Sequence, residues 1–211
     1  MSIAYTKGTA NVTQWRDKSG TGYIGSTTSG TNTDTLNSKK VIYLNNLLSI
    51  PSFAWRSRFT VFFVGKISML YSQFNGGYLN YLFTENGNLY NVAGTFSVTD
   101  SATSSPIAGN SAWYLLCLGY SGGTTATPYS LNGTTRTTGT GTAAGESTTT
   151  FELNFSGRSG GSPNSGNVAE ILHYNEPLTT PQVQKVEGYL AWKWGLQANL
   201  PAGHPYKLAP P

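Results

Sequence analysis

The stretch Ala169-Glu170-Ile171-Leu172-His173-Tyr174-Asn175, followed by Thr179-Thr180-Pro181 and a run ending at Trp194-Gly195, decides the reading of the fold. It joins a strand to a helix across a short turn. Thr180 is the expected N-cap, and Pro181 suits the first helical position, where a missing N–H costs nothing. Val183, Val186, Leu190 and Trp194 recur at helical spacing and make one apolar stripe. Gly195 is a natural left-handed stop, with Pro201 beyond it. Val168, Ile171, Leu172 and Tyr174 alternate less cleanly, which predicts a strand covered at least in part on both faces. A single helix closing a mostly β chain must lie against the outside of a sheet or plug one of its ends.

Upstream, Phe59-Thr60-Val61-Phe62-Phe63-Val64-Gly65-Lys66-Ile67 is the strongest strand. It is too apolar to face water on either side, which places it mid-sheet. Residues 112–120 form a second buried strand. Shorter strands are expected at 11–15, 41–48 (ending at Pro51), 78–83, 89–92, 95–99, 128–131, 134–137, 151–155 and 168–175. Asn86-Gly87 and Asn132-Gly133 are hairpin signals. Residues 21–38 read as a long surface loop or irregular hairpin, and 138–149 and 159–167 as Gly-rich loops. About ten short strands with one late helix is the pattern of an antiparallel sandwich.

The series Ala169 to Asn175, Leu178, Gln182, Val186-Glu187-Gly188-Tyr189-Leu190-Ala191-Trp192-Lys193-Trp194-Gly195-Leu196, Leu200-Pro201 and His204-Pro205-Tyr206 resembles the C-terminal signature of concanavalin A-like (laminin G-like) jelly-roll domains. The version it resembles occurs in phage, large DNA virus and bacterial surface proteins. Val12-Thr13-Gln14-Trp15-Arg16-Asp17-Lys18-Ser19-Gly20 is similar to the family's early tryptophan–aspartate–Ser-Gly segment. Phe155-Ser156-Gly157-Arg158 resembles its glycine–arginine turn before the final strand. The resemblance implies an all-β, two-sheet antiparallel jelly roll with one C-terminal α-helix, filling a single domain over residues 1–211. Such domains usually carry another strand ahead of the tryptophan–aspartate segment, and few residues precede Trp15. The expectation is a C-terminal piece of a longer protein, with Met1 supplied for expression.

Composition narrows the function classes. Only 10% of the 211 residues are charged, and the formal net charge is +4. That charge is dispersed, with Lys39-Lys40 and Arg56/Arg58 the densest spots, whereas nucleic-acid proteins concentrate it on one element. No nucleic-acid partner is expected. No apolar run approaches the roughly 20 residues needed to span a bilayer, so no membrane insertion is expected either. Cys117, the single cysteine, sits in an apolar strand and reads as a small core hydrophobe. The expected setting is extracellular or on a virion surface.

The catalytic patterns fail on context. Gly119-Tyr120-Ser121-Gly122-Gly123 matches the serine-hydrolase elbow, with Glu170 and His173 or His204 later in the chain, but no helix follows it. Gly139-Thr140-Gly141-Thr142-Ala143-Ala144 lacks the flanking strand and helix of a dinucleotide site. Glycosidases need paired carboxylates about 5–9 Å apart. The one-strand E-x-D-x-x-E string of glucanase relatives is absent, leaving Glu152 and Glu170 as a pair that could meet on adjacent strands. Two distant histidines do not make a zinc site. Asp17, Asp34 and Asp100 do not sit in a dense acidic loop. No catalytic residue, metal or cofactor is assigned.

Binding remains. Sugar recognition uses flat aromatic faces plus amide and guanidinium hydrogen bonds. The candidates are aromatics beside Gly/Asn turns and the Gly-rich turn arginine: Tyr71, Phe74, Asn75, Tyr78, Tyr81 and Arg158. Sequons at Asn11, Asn132 and Asn154 matter only in a secretory pathway. The expected function is non-catalytic recognition of a host cell-surface glycan by a virion or similar surface protein. The alternatives are a structural or oligomerising fibre-head module that contacts its own copies or other virion proteins, and a glycan-cleaving enzyme.

Overall fold

The computed structural model describes residues 3–5, 11–19, 24–44, 48–54, 59–67, 73–74, 80–85, 88–93, 96–99, 112–120, 128–137, 150–155 and 166–211. Its strands are β1 (Ile3–Tyr5), β2 (Asn11–Asp17), β3 (Ile24–Leu36), β4 (Lys39–Leu44), β5 (Leu48–Ala54), β6 (Phe59–Ile67), β7 (Gln73–Phe74) and β8 (Asn80–Glu85). They continue as β9 (Asn88–Ala93), β10 (Phe96–Thr99), β11 (Tyr114–Tyr120), β12 (Pro128–Leu131), β13 (Thr134–Thr137), β14 (Thr150–Phe155) and β15 (Gly166–Tyr174). One helix, α1 (Thr180–Trp194), and a short 3₁₀ turn (Gln197–Asn199) close the chain. The fold is all-β and antiparallel with a C-terminal helix.

Hydrogen bonding runs continuously through the order β13-β12-β11-β6-β15-β4-β3-β5-β14-β7, with β2 on β3 and β1 on β2. β8, β9 and β10 form a separate three-stranded meander. The apolar β6 lies between β11 and β15, mid-sheet, as its composition predicts. Two type I′ turns, with φ positive at both central residues, close hairpins: Asn37-Ser38 between β3 and β4, and Asn132-Gly133 between β12 and β13. Glu85 pairs with Asn88, a spacing that fits the Asn86-Gly87 hairpin signal, whose own two residues lie outside the described set.

Three elements depart from the sequence reading. First, residues 24–36 of the expected 21–38 loop form β3, a 13-residue strand. It has no apolar alternation because its pairing comes from neighbours: its first half pairs with β2 and β5, and its second half with β4. Second, the expected strand 41–48 is two strands, and Pro51 lies inside β5. There Ile50 pairs with Leu153 and Phe53 with Phe151, so two residues, Pro51 and Ser52, oppose Glu152 alone. That bulge frees proline from donating to the ladder. Third, the uneven alternation of β15 has a cause beyond two-sided burial. Val168 pairs with Gly65 and Glu170 with Val64, which makes Ala169 an extra residue. The bulge turns Glu170 toward the helix side, while Val168 and Ile171 share the opposite face.

Both faces of the central strands are buried. Phe62, Val64, Leu115, Cys117 and Val41 pack with Leu190, Ala191 and Trp194 of α1. Ile42, Phe63, Leu116, Leu118, Val168 and Ile171, pointing the other way, are buried as well. Each buried Val, Leu, Ile or Phe among them stabilises the fold by about 1.5–3 kcal/mol. Burial and the nearby Glu187 charge push the Cys117 thiol well up, so it is an inert core residue, as expected.

The helix starts one residue earlier than expected. Thr179, not Thr180, is the N-cap, because Gln182 reaches back to accept the Thr179 N–H at 2.8 Å. Gly195, at φ 72°, ends it as predicted, and the Leu196 N–H reaches the Ala191 carbonyl at 2.7 Å in a Schellman closure. The tail then folds back. Trp192 Nε1 donates to the Tyr206 carbonyl at 2.9 Å, and Lys207 Nζ to the carbonyls of Ala198 and Leu200. A methyl built on Gly188 would lie 2.5 Å from Tyr206 Cβ. Gly188→Ala should therefore destabilise the protein by about 1–3 kcal/mol through overpacking, although alanine is the better helix former. Urea denaturation monitored by circular dichroism tests this, and a variant as stable as the parent would refute the tight seat of Tyr206.

Candidate functional site

The structure places the sequence candidates unevenly. Phe74 lies in β7, opposite Phe151, and Tyr81 lies in β8, opposite Val92. β7, at one edge of the large sheet, comes against β8 of the meander, so these two strands meet. Tyr71, Asn75, Tyr78 and Arg158 lie outside the described residues. Of the hydrolase-like motif, Ser121, Gly122 and Gly123 also lie outside them. β11, which carries Gly119 and Tyr120, is antiparallel to both neighbours, unlike the parallel sheet under a nucleophile elbow.

The suspected carboxylate pair is not on adjacent strands: β4, β3 and β5 separate β15, with Glu170, from β14, with Glu152. Glu170 is buried with both oxygens engaged. Lys193 Nζ donates to Oε1 at 2.8 Å and Trp194 Nε1 to Oε2 at 2.7 Å. Partial burial opposes the Lys193 ammonium, but hydrogen bonds to Glu170 and Tyr189 outweigh it and raise its pKa.

A second buried carboxylate, Glu187 of α1, holds a cluster that pattern reading missed. Ser130 Oγ of β12 donates to Oε1, and His204 Nε2 lies 3.3 Å from Oε2. The Tyr206 N–H donates to His204 Nδ1 at 3.2 Å, which leaves the imidazole proton on Nε2, facing Glu187. Burial raises the Glu187 pKa, and the bonds from Ser130 and His204 counter it in part. Serine, glutamate and histidine are all present, but the serine hydroxyl is given to the glutamate. The imidazole therefore cannot act as base toward it. The one available signal was that Glu187 falls on the buried stripe between Val183 and Leu190, where a lone acid needs partners.

These contacts hold the C-terminal stretch together. Glu170, Glu187, Gly188, Trp192, Gly195 and His204 tie strand, helix and tail together. Asn37 Nδ2 donates to the Lys193 carbonyl at 3.0 Å, and Gly133 abuts Leu200 and His204, so one type I′ turn grips the helix end and the other the tail beyond it. His173 is held neutral by burial, its pKa lowered to about 3. Among the described residues, no group of three or more His, Cys, Asp or Glu could hold a metal, and no helix is long and apolar enough to cross a membrane.

No family model and no curated protein matches the chain. Solved structures do match its fold. The binding domain of Paraclostridial Mosquitocidal Protein 1 aligns with a TM-score of 0.68 at 12% identity, over 89% of this chain and 51% of that one. The ligand binding domain of Botulinum neurotoxin serotype D, in complex with N-acetylneuraminic acid, aligns at 0.63 and 12% identity, over 89% and 50%. Domain 4 of AbnA, a GH43 extracellular arabinanase from Geobacillus stearothermophilus, in complex with arabinotriose, aligns at 0.55 and 14% identity, over 75% and 81%. The chain spans about half the length of the first two. Likeness at these identities establishes a shared β-sandwich-like fold.

Proposed function

We propose that this chain is a non-catalytic carbohydrate-recognition domain of concanavalin A-like jelly-roll type, working outside cells on a virion or other surface assembly and binding host glycans. The observation that carries the reading is the fold it shares with two domains solved holding sugars, N-acetylneuraminic acid in one and arabinotriose in the other. The fate of the buried acids supports the non-catalytic part: Glu170 and Glu187 are engaged by hydrogen bonds that join the helix to the sheet. The C-terminal resemblance supplies the surface-assembly setting. The contact surface is the aromatic and polar group Tyr71, Phe74, Asn75, Tyr78, Tyr81 and Arg158.

A broad glycan array, with a Tyr78→Ala/Tyr81→Ala double variant beside the parent, tests this. Selective binding that falls at least tenfold in the variant is the expected result. Silence across the array, together with a defined oligomer in light scattering, would overturn glycan recognition in favour of a structural module.

A further inference from the structure

Tyr189 stands in solvent, 47% exposed on the outer face of α1. It is held in place. Lys193, one helical turn on, donates to its phenol oxygen at 3.2 Å, and the ammonium lies 5.3 Å from the ring centroid. The ammonium is itself anchored on buried Glu170 at 2.8 Å. Tyr174, partly exposed at the end of β15, packs edge-on to Phe62.

An aromatic ring fixed at the surface adds little to the core. It suits the apolar face of a sugar ring, and fixing it beforehand removes an entropy cost of binding. Lys193 carries three N–H donors, of which Glu170 and Tyr189 take two, leaving one for a sugar hydroxyl. Glu170 already balances the lysine charge. The site therefore offers a hydrogen-bond donor rather than an unpaired cation, which favours a neutral sugar over an acidic one.

We propose that Tyr189 and Lys193 form a subsite for a neutral sugar ring, stacked on Tyr189 and hydrogen-bonded by Lys193. The proposal rests on the glycan-recognition reading but places a contact on α1, a different element from the 71–81 aromatics.

The full chain, Tyr189→Ala and Tyr189→Phe are titrated calorimetrically with arabinotriose, cellotriose, mannotriose and 3′-sialyllactose, in low salt and in 0.5 M NaCl. Melting curves confirm that the variants fold. The expected result is binding of at least one neutral trisaccharide, insensitive to salt, weakened about tenfold in Tyr189→Ala and less than threefold in Tyr189→Phe. Neutral-sugar binding that Tyr189→Ala leaves intact overturns the subsite while sparing glycan recognition. Binding confined to sialyllactose and lost in salt overturns the neutral-ligand assignment. Silence with all four sugars overturns the subsite, and the broad array then decides the wider reading on its own.

Discussion

Glu187→Ala is expected to destabilise the protein by about 3 kcal/mol, and to lower Tm by about 6–12 °C. The loss has two sources. The Ser130 hydroxyl and the His204 Nε2 proton both lose their acceptor in a site closed to water. The truncation also opens a cavity between α1 and β12. Glu187→Gln keeps the volume and one acceptor oxygen, and should cost about half as much or less. Differential scanning calorimetry of the three proteins separates these contributions. An alanine variant melting within about 2 °C of the parent would show that the cluster is incidental to the fold.

Acid should weaken the parent protein through His173. Its folded pKa is depressed to about 3 by burial, from an ordinary 6.5. The stabilisation is fully present above pH 6.5, where folded and unfolded states both carry the neutral ring. It is lost as pH falls toward 3, because the unfolded state binds the proton first. Between pH 7 and pH 4 the loss is on the order of 3 kcal/mol. Glu187 works in the opposite direction. Its raised pKa favours the folded state below the ordinary carboxyl range, and that advantage fades as pH rises through the raised value. A comparison of variants cancels it. His173→Asn, denatured with urea at pH 7, 5.5 and 4, should lose at least half of the parent's acid sensitivity. An unchanged slope would place the acid sensitivity elsewhere.

The fold was legible wherever a local rule matched its tertiary setting. Gly195 stops the helix because only the left-handed region closes the Schellman turn there. Asn132-Gly133 makes its hairpin because both residues must take positive φ. Phe59–Ile67 lies mid-sheet because its apolar residues leave no face for water. β3 was not legible. Its Gly, Ser and Thr residues carry no apolar alternation, and only β2, β4 and β5 hold it extended. The bulge at Ala169 was hidden for the same reason, since register belongs to a pair of strands. Strand order was hidden too: Glu170 could have met Glu152 on an adjacent strand, but three strands separate them and Glu170 is bonded to Lys193 and Trp194. The site itself was legible only as residue types. Phe74 and Tyr81 fall on neighbouring strands, but an aromatic beside a glycine or asparagine gives no direction in space.

The place of β15 has a kinetic side. It is the last strand in the sequence, yet it lies between β4 and β6, near the middle of the sheet. The bonds that fasten the C-terminal stretch to the sheet span great lengths of chain: Thr60 to Glu176 is 116 positions, and Asn37 to Lys193 is 156. A chain made from its N-terminus therefore carries β4 and β6 with bare edges until Gly166–Tyr174 has been synthesised. Closure of such distant pairs is slow, and unpaired apolar edges invite contact with other nascent chains. Productive folding of this molecule is a late event, governed by how long those two edges can wait.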